Sequence, residues 1–154
     1  EKRFATIFNA SPVPVAIARE EDGAYLEVND AWSRFFGWSR DEALGSNAVA
    51  RGVWPSEAER EQFISALRER GFHAAEVRLR KRSGELCDLV FSAGMIELGG
   101  RRCVLASALD ISERKRAEAA LRESERRFRD FAEAAGEYVW ELDAEARFTY
   151  VSRR

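Results

Sequence analysis

The feature that most constrains this chain is a junction near residue 110, where an apolar strand pattern gives way to a long helical one. Cys103–Val104–Leu105–Ala106–Ser107–Ala108–Leu109 is short, apolar and free of Gly and Pro, as a buried strand requires. From Ser112 to Ala135 there is again no Gly or Pro, and Ala, Leu, Glu, Arg and Lys dominate, which predicts a helix. Along it Ala117, Leu121, Ser124, Phe128, Phe131 and Ala135 recur at alternating spacings of four and three. That is a heptad seam, with charge on the other faces. A sheet ends where a partner-seeking helix begins, so a change in the core can be passed out along a rod.

The rest of the chain has to supply that core. At 154 residues there is room for one full domain and part of another, and an apolar fraction of 45% with 11% aromatics suffices for globular packing. A net charge of −2 gives no reason to expect nucleic acid or an anionic membrane as a partner. No apolar run approaches the roughly 18–20 residues that span a bilayer, and the start carries no signal-peptide pattern. The chain begins with Glu1 and stops just past a strand-like run. It reads as a piece of a longer chain, cytoplasmic in this part whether or not the whole is membrane-anchored.

Cys87 and Cys103 sit on neighbouring expected strands joined by a two-residue Gly99–Gly100 hairpin. That register sets Cys103 opposite Ile96 and leaves Cys87 about nine residues away, roughly 30 Å along the strand. The reading is two buried, reduced thiols and no disulfide, which fits the cytoplasm.

Taken in order, Lys2 to Ala10 is expected as a short helix with Phe4, Ile7 and Phe8 on one side, ended by Ser11–Pro12–Val13–Pro14. Val13–Val15–Ile17 alternates as a strand, Glu21–Asp22–Gly23 turns, and Ala24 to Val28 is the second strand. Asn29 or Asp30 caps a helix bearing Trp32, Phe35 and Phe36 and stopped by Gly37. Ser39 with Glu42, and Ser56 with Glu59, read as capping boxes. The second opens a helix to about Arg70 with Phe63, Ile64 and Leu67 inward. Three strands follow, over 73–82, 85–98 and 101–110, with Glu97 facing Arg102 across the last turn. Both faces are apolar: Leu89, Phe91 and Val104 on one, Val90, Ile96 and Leu105 on the other. One face packs on the domain's helices and the other needs a cover, from the terminal helices or a second subunit.

The tail repeats the head. Arg3–Phe4, Ile7, Ala10 and Val15 recur at one fixed offset as Arg127–Phe128, Phe131, Ala134 and Val139, and Val28 matches Val151 one residue short of it. The order helix, strand, turn, strand is preserved, so the division is residues 1–111 as a complete module, 112–126 as a coiled-coil linker helix, and 127–154 as the truncated start of a second copy.

Two strands, short helices and a three-stranded meander make an α+β fold: a five-stranded antiparallel sheet with helices on one face, then a long C-terminal linker helix. Three segments resemble a PAS domain of the S-box type, with its PAC motif, as found in bacterial multidomain signalling proteins. They are Asn29–Asp30–Ala31–Trp32–Ser33–Arg34–Phe35–Phe36–Gly37–Trp38–Ser39–Arg40–Asp41–Glu42–Ala43–Leu44–Gly45, then Arg80–Lys81–Arg82–Ser83–Gly84, then Asp110–Ile111–Ser112–Glu113–Arg114–Lys115. In the last, Ser112 replaces the family's usual Thr, and either hydroxyl can cap the helix. The resemblance implies a sensory or dimerisation module that regulates an output domain, often a histidine kinase or a cyclic-di-nucleotide enzyme, through its exit helix. Asp110, Ile111 and Ser112 are the transmission residues it points to, and Ala117, Leu121 and Phe128 form the seam of a homodimer.

Asn29, Trp32, Phe35, Phe36, Trp54 and Phe91 are the candidate ligand-pocket residues; such aromatics, Trp38 included, serve equally as plain core. The resemblance places flavin chemistry at a Gly-x-Asn-Cys motif. Here Gly45–Ser46–Asn47–Ala48 has Ala48 in place of the adduct-forming Cys, so a flavin adduct is not expected. Haem is not expected either, since the single histidine, His73, falls at a strand end outside any pocket helix. No Ser/His/Asp set, metal cluster or phosphate loop is present, so catalysis and a metal site are not expected in this chain. Two readings stay open: a sensor of a small-molecule or cofactor signal, and a ligand-free dimerisation adaptor.

Overall fold

A computed structural model describes residues 2–136, 140–142 and 144–151, and divides the chain into two compact units, residues 1–112 and 113–154. The first unit opens with α1 (Lys2–Ala10), β1 (Val15–Arg19) and β2 (Tyr25–Val28). Three helices follow, α2 (Asp30–Phe36), α3 (Arg40–Ala43) and α4 (Glu57–Arg70), and the unit closes with β3 (Phe72–Arg80), β4 (Leu86–Leu98) and β5 (Arg101–Asp110). The five strands form one antiparallel sheet in the order β2-β1-β5-β4-β3, which puts the first hairpin beside the last strand of the meander.

The expected caps explain where the helices start. Asn29, not Asp30, caps α2, and Gly37 ends it with φ +87°, a left-handed conformation that costs glycine nothing. Ser39 and Glu42 form a complete capping box on α3. On α4 the box is half made. Ser56 Oγ accepts the Glu59 N–H at 3.2 Å, but the Glu59 carboxylate accepts from the Ser56 hydroxyl rather than from its backbone N–H.

Strand alternation sorts the side chains. Ala16 and Ala18 of β1, Val77 and Leu79 of β3, Cys87, Leu89, Phe91 and Ala93 of β4, and Val104, Ala106 and Ala108 of β5 point to the helix-covered face. There they meet Trp32 and Phe36 of α2 and Phe63, Ile64 and Leu67 of α4. On the opposite face Ile17 and Cys103 are buried, whereas Leu105 and Leu109 remain open to solvent. The Gly99–Gly100 hairpin sets Ile96 opposite Cys103 and Glu97 opposite Arg102, and both cysteines are free. In α1, Phe8 is buried while Phe4 and Ile7 stay exposed.

The second unit holds α5 (Ser112–Ala134), whose first residue closes the first unit, and a two-stranded antiparallel pair, β6 (Trp140–Leu142) with β7 (Phe148–Val151). The surface of α5 is laced with ion pairs, among them Arg126 and Arg127 on Glu123. Its apolar residues Leu121, Phe128 and Phe131 are exposed. In the sequence repeat, Val139 lies outside the described residues. Among the described residues no helix is long and apolar enough to cross a membrane.

Candidate functional site

Between the sheet and the helices lies a cavity of about 60 Å³. Small residues make this space. Ala16 and Ala18 on β1, and Ala106 and Ala108 on β5, line its sheet side, where larger side chains would fill it. Trp32 and Phe36 of α2, Ile64 of α4 and Phe91 of β4 supply the aromatic and aliphatic walls. The loop after α3 contributes Ala48, Val53 and Trp54, held inward by Val53 N–H to Ala48 C=O at 2.8 Å and Arg80 N–H to Val53 C=O at 2.9 Å.

Three polar side chains join this lining, Tyr25, Arg60 and Ser107. Tyr25 and Arg60 are more than nine-tenths buried. Arg60 falls on the apolar stripe of α4, since Phe63, Ile64 and Leu67 follow it by three, four and seven residues. Its guanidinium lies over the Glu21–Asp22–Gly23 turn, so close that a Cβ on Gly23 would sit 2.8 Å from Nη2. The turn tolerates this because Gly23 has no side chain and holds φ +72°. Burial pushes the Tyr25 phenol well above its ordinary range, against the opposing pull of the Arg60 charge.

Of the six residues anticipated for a pocket, Trp32, Phe36, Trp54 and Phe91 line the cavity; Asn29 and Phe35 do not. Asn29 is a structural knot. Its Oδ1 accepts the Val15 and Trp32 N–H groups at 2.9 Å each, and its Nδ2 donates to the carbonyls of Val13 at 3.0 Å and Phe8 at 3.1 Å. Phe35 instead carries the Lys81 ammonium on its ring at 4.4 Å. Trp38 also lies away from the cavity, with the guanidinium groups of Arg51 and Arg82 over its ring at 4.7 and 4.5 Å. His73 is not a bare strand-end residue, for its ring packs on Phe63 at 4.8 Å between centroids. The Arg60, Tyr25, Ala48, Val53 and Ile64 contributions were missed. For Arg60 the signal was present, an arginine in phase with three apolar residues.

A second feature is the junction where β5 becomes α5. Buried Ile111 donates its N–H to the Asp88 carbonyl at 3.0 Å. The Ser112 hydroxyl accepts the Asp88 N–H at 3.2 Å and lies 3.5 Å from the Asp88 carbonyl, to which it donates. So the hydroxyl does not cap α5. Asp110 does that work, its Oδ1 accepting the Ser112 N–H at 2.9 Å where a carboxylate is favoured by the helix dipole. Asp88 in turn holds Arg78 of β3 at 3.2 Å. The exit residues are thus latched to the middle of the sheet.

Both cysteines are buried, and burial raises the Cys87 pKa, which disfavours a reactive thiolate there. Among the described residues no three His, Cys, Asp or Glu side chains gather as a metal site.

The PAS fold family model matches residues 2–111. Over 126 residues the chain is 36% identical to the methyl sulfide methyltransferase-associated sensor of Methanosarcina acetivorans, covering 79% of this chain but only 12% of that protein. Among solved structures, a PAS domain from a two-component sensor histidine kinase superposes with a TM-score of 0.62 at 20% identity, over 71% of this chain and 94% of that one. The PAS domain of a LuxR-family transcriptional regulator from Burkholderia thailandensis, in complex with ethanol, gives 0.59 at 18% identity, over 71% and 97%.

Proposed function

This chain belongs to the PAS family, and we propose that it is a sensory module whose core cavity takes up a small molecule and whose exit helix carries the response to an output domain in a longer protein. The cavity carries the reading. A domain free to pack alanine-lined space shut with larger side chains has instead kept it open beside two buried polar groups. The wider family supports this, since the Methanosarcina relative is named as a sensor and the Burkholderia domain holds ethanol.

Transmission follows from the strands that build the cavity. β4 contributes Phe91 to its wall and Asp88 to the latch three residues earlier; β5 contributes Ala108 and then Asp110. A shift of either strand on ligand entry changes the bonds that hold Ile111 and Ser112. We assign α5 to a homodimeric coiled coil through Ala117, Leu121 and Phe128, with exposed Leu105 and Leu109 on the sheet and Phe4 and Ile7 on α1 as further contact surface. A histidine kinase or a cyclic-di-nucleotide enzyme is the output that fits such a linker, and the two free thiols fit a cytoplasmic setting. In this scheme the chain itself performs no catalysis, and residues 127–154 begin a second module of the same kind.

Native mass spectrometry of the purified chain tests the reading. A dimer carrying extra mass of a small molecule supports it. A dimer at bare polypeptide mass, with no melting shift across a small-molecule library, replaces it with the ligand-free adaptor.

A further inference from the structure

The cavity's chemistry narrows what it takes up. Arg60 is only 7% exposed, yet among the described residues its guanidinium makes no hydrogen bond within 3.5 Å. Glu57 meets it as a long ion pair at 3.9 Å, but the Glu57 side chain is 69% exposed and the pair is weak. A largely buried guanidinium with open N–H donors is well suited to receive an anion. The remaining lining is apolar save for Ser107 and Tyr25, whose phenol feels the Arg60 charge. Arginine presents paired N–H donors in a planar fork that matches a carboxylate. The volume, about 60 Å³, equals about two waters at liquid density, which suits the shortest acids.

We propose that the cavity binds a short-chain carboxylate, its carboxyl group held by Arg60 beside Tyr25 and its alkyl end among the alanines of β1 and β5 and the rings of Trp32 and Phe36. Gly23 belongs to this site as the residue that lets the guanidinium lie flat against the turn. The proposal rests on the sensor reading of the cavity and adds the ligand class to it.

The test is titration calorimetry of the full 154-residue chain with acetate, propionate and butyrate, each beside its uncharged primary amide. Wild type is expected to bind at least one acid roughly tenfold to a hundredfold more tightly than its amide, the usual worth of a charge-assisted hydrogen bond. Arg60→Gln is expected to erase that preference. Because removing a buried arginine also alters packing, Arg60→Lys is measured in parallel, and partial retention of acid binding there marks charge as the cause. Equal binding of acid and amide in wild type overturns the carboxylate assignment and leaves the sensor reading standing. Acid preference that survives in folded Arg60→Gln overturns the role of Arg60. Failure of acids and amides alike, in a chain that native mass spectrometry shows to carry a different small molecule, refutes the ligand class alone; bare polypeptide mass as well removes both.

Discussion

Replacing Asn29 with Ala should be among the most destabilising single changes in the first unit, although Asn29 touches no ligand site. The side chain is 1% exposed and uses its whole hydrogen-bonding capacity, two acceptor positions and two donors, on backbone groups of α1, the segment before β1, β1 itself and α2. Alanine removes the α2 cap, a loss of about 1 kcal/mol. It also strands the Val15 N–H and the Phe8 and Val13 carbonyls, at about 1 kcal/mol or more for each group that water cannot reach. The total comes to about 4 kcal/mol. With a urea m-value of roughly 1.5 kcal/mol per M, the midpoint should fall by about 2.7 M, followed by tryptophan fluorescence. Asn29→Ser keeps an oxygen for the Trp32 N–H but cannot reach the other three groups, so it should fall between the two. A loss below about 1 kcal/mol for Asn29→Ala would refute the knot, because it would mean that water or another side chain satisfies these groups equally well.

Three other outcomes follow from the same geometry. Ser112→Ala removes both hydroxyl bonds to Asp88, and the Asp88 amide should exchange hydrogen several-fold faster while the Ile111 amide, which keeps its own bond to the Asp88 carbonyl, does not; unchanged Asp88 exchange would mean the latch is held without Ser112. Leu121→Asp places a charge in the α5 seam and should weaken dimer formation by at least tenfold in sedimentation equilibrium, whereas equal association would exclude that seam. Asp22, through the Arg19 guanidinium, and Glu42, through the Ser39 backbone N–H, both have carboxyl pKa values held below the ordinary range. A depressed folded-state value adds stability above the unfolded pKa and loses it as pH falls through the folded one. Melting temperature should therefore be flat from neutrality to about pH 5 and decline below about pH 4, and Asp22→Asn should blunt that decline.

What the sequence made legible was local. Ser39, Gly37 and the Gly99–Gly100 turn act within a few residues of themselves, so caps, stops and the β4–β5 register followed from residue type. The faces of β4 and β5 followed from alternation alone. The cavity was legible only in part, because being aromatic does not say which way a ring points. Trp32 and Phe36, four residues apart on α2, both reach it, while Phe35, adjacent to Phe36, faces Lys81. Asn29 as the α2 cap follows from residue type, but its place as a knot rather than a pocket residue does not, because its other three partners lie 14, 16 and 21 residues away in sequence. Arg60 was passed over for the opposite reason. Arginine on a helix is ordinarily solvated, and its phase with Phe63, Ile64 and Leu67 outweighs that habit only once the stripe is known to face a cavity.

The cavity and the latch are tied by the stiffness of the sheet between them. Asp88 and Phe91 lie three residues apart on β4, about 10 Å along the strand, and Ala108 and Asp110 are two apart on β5, in register with Phe91 and Leu89. Each strand is hydrogen-bonded along its length to its neighbours, so under the proposed sensor reading a small displacement at the cavity wall would be carried to the exit residues rather than absorbed. The latch bonds differ in their tolerance. The Ser112 hydroxyl bond to the Asp88 carbonyl is already at 3.5 Å and fails with a few tenths of an ångström of movement, whereas the Ile111 bond at 3.0 Å does not. Ligand entry should then loosen Ser112 before Ile111, freeing the first turn of α5 while the strand end stays docked. Hydrogen exchange at the Asp88 and Ile111 amides, measured with and without a bound carboxylate, separates this order from a concerted release, in which both would accelerate together.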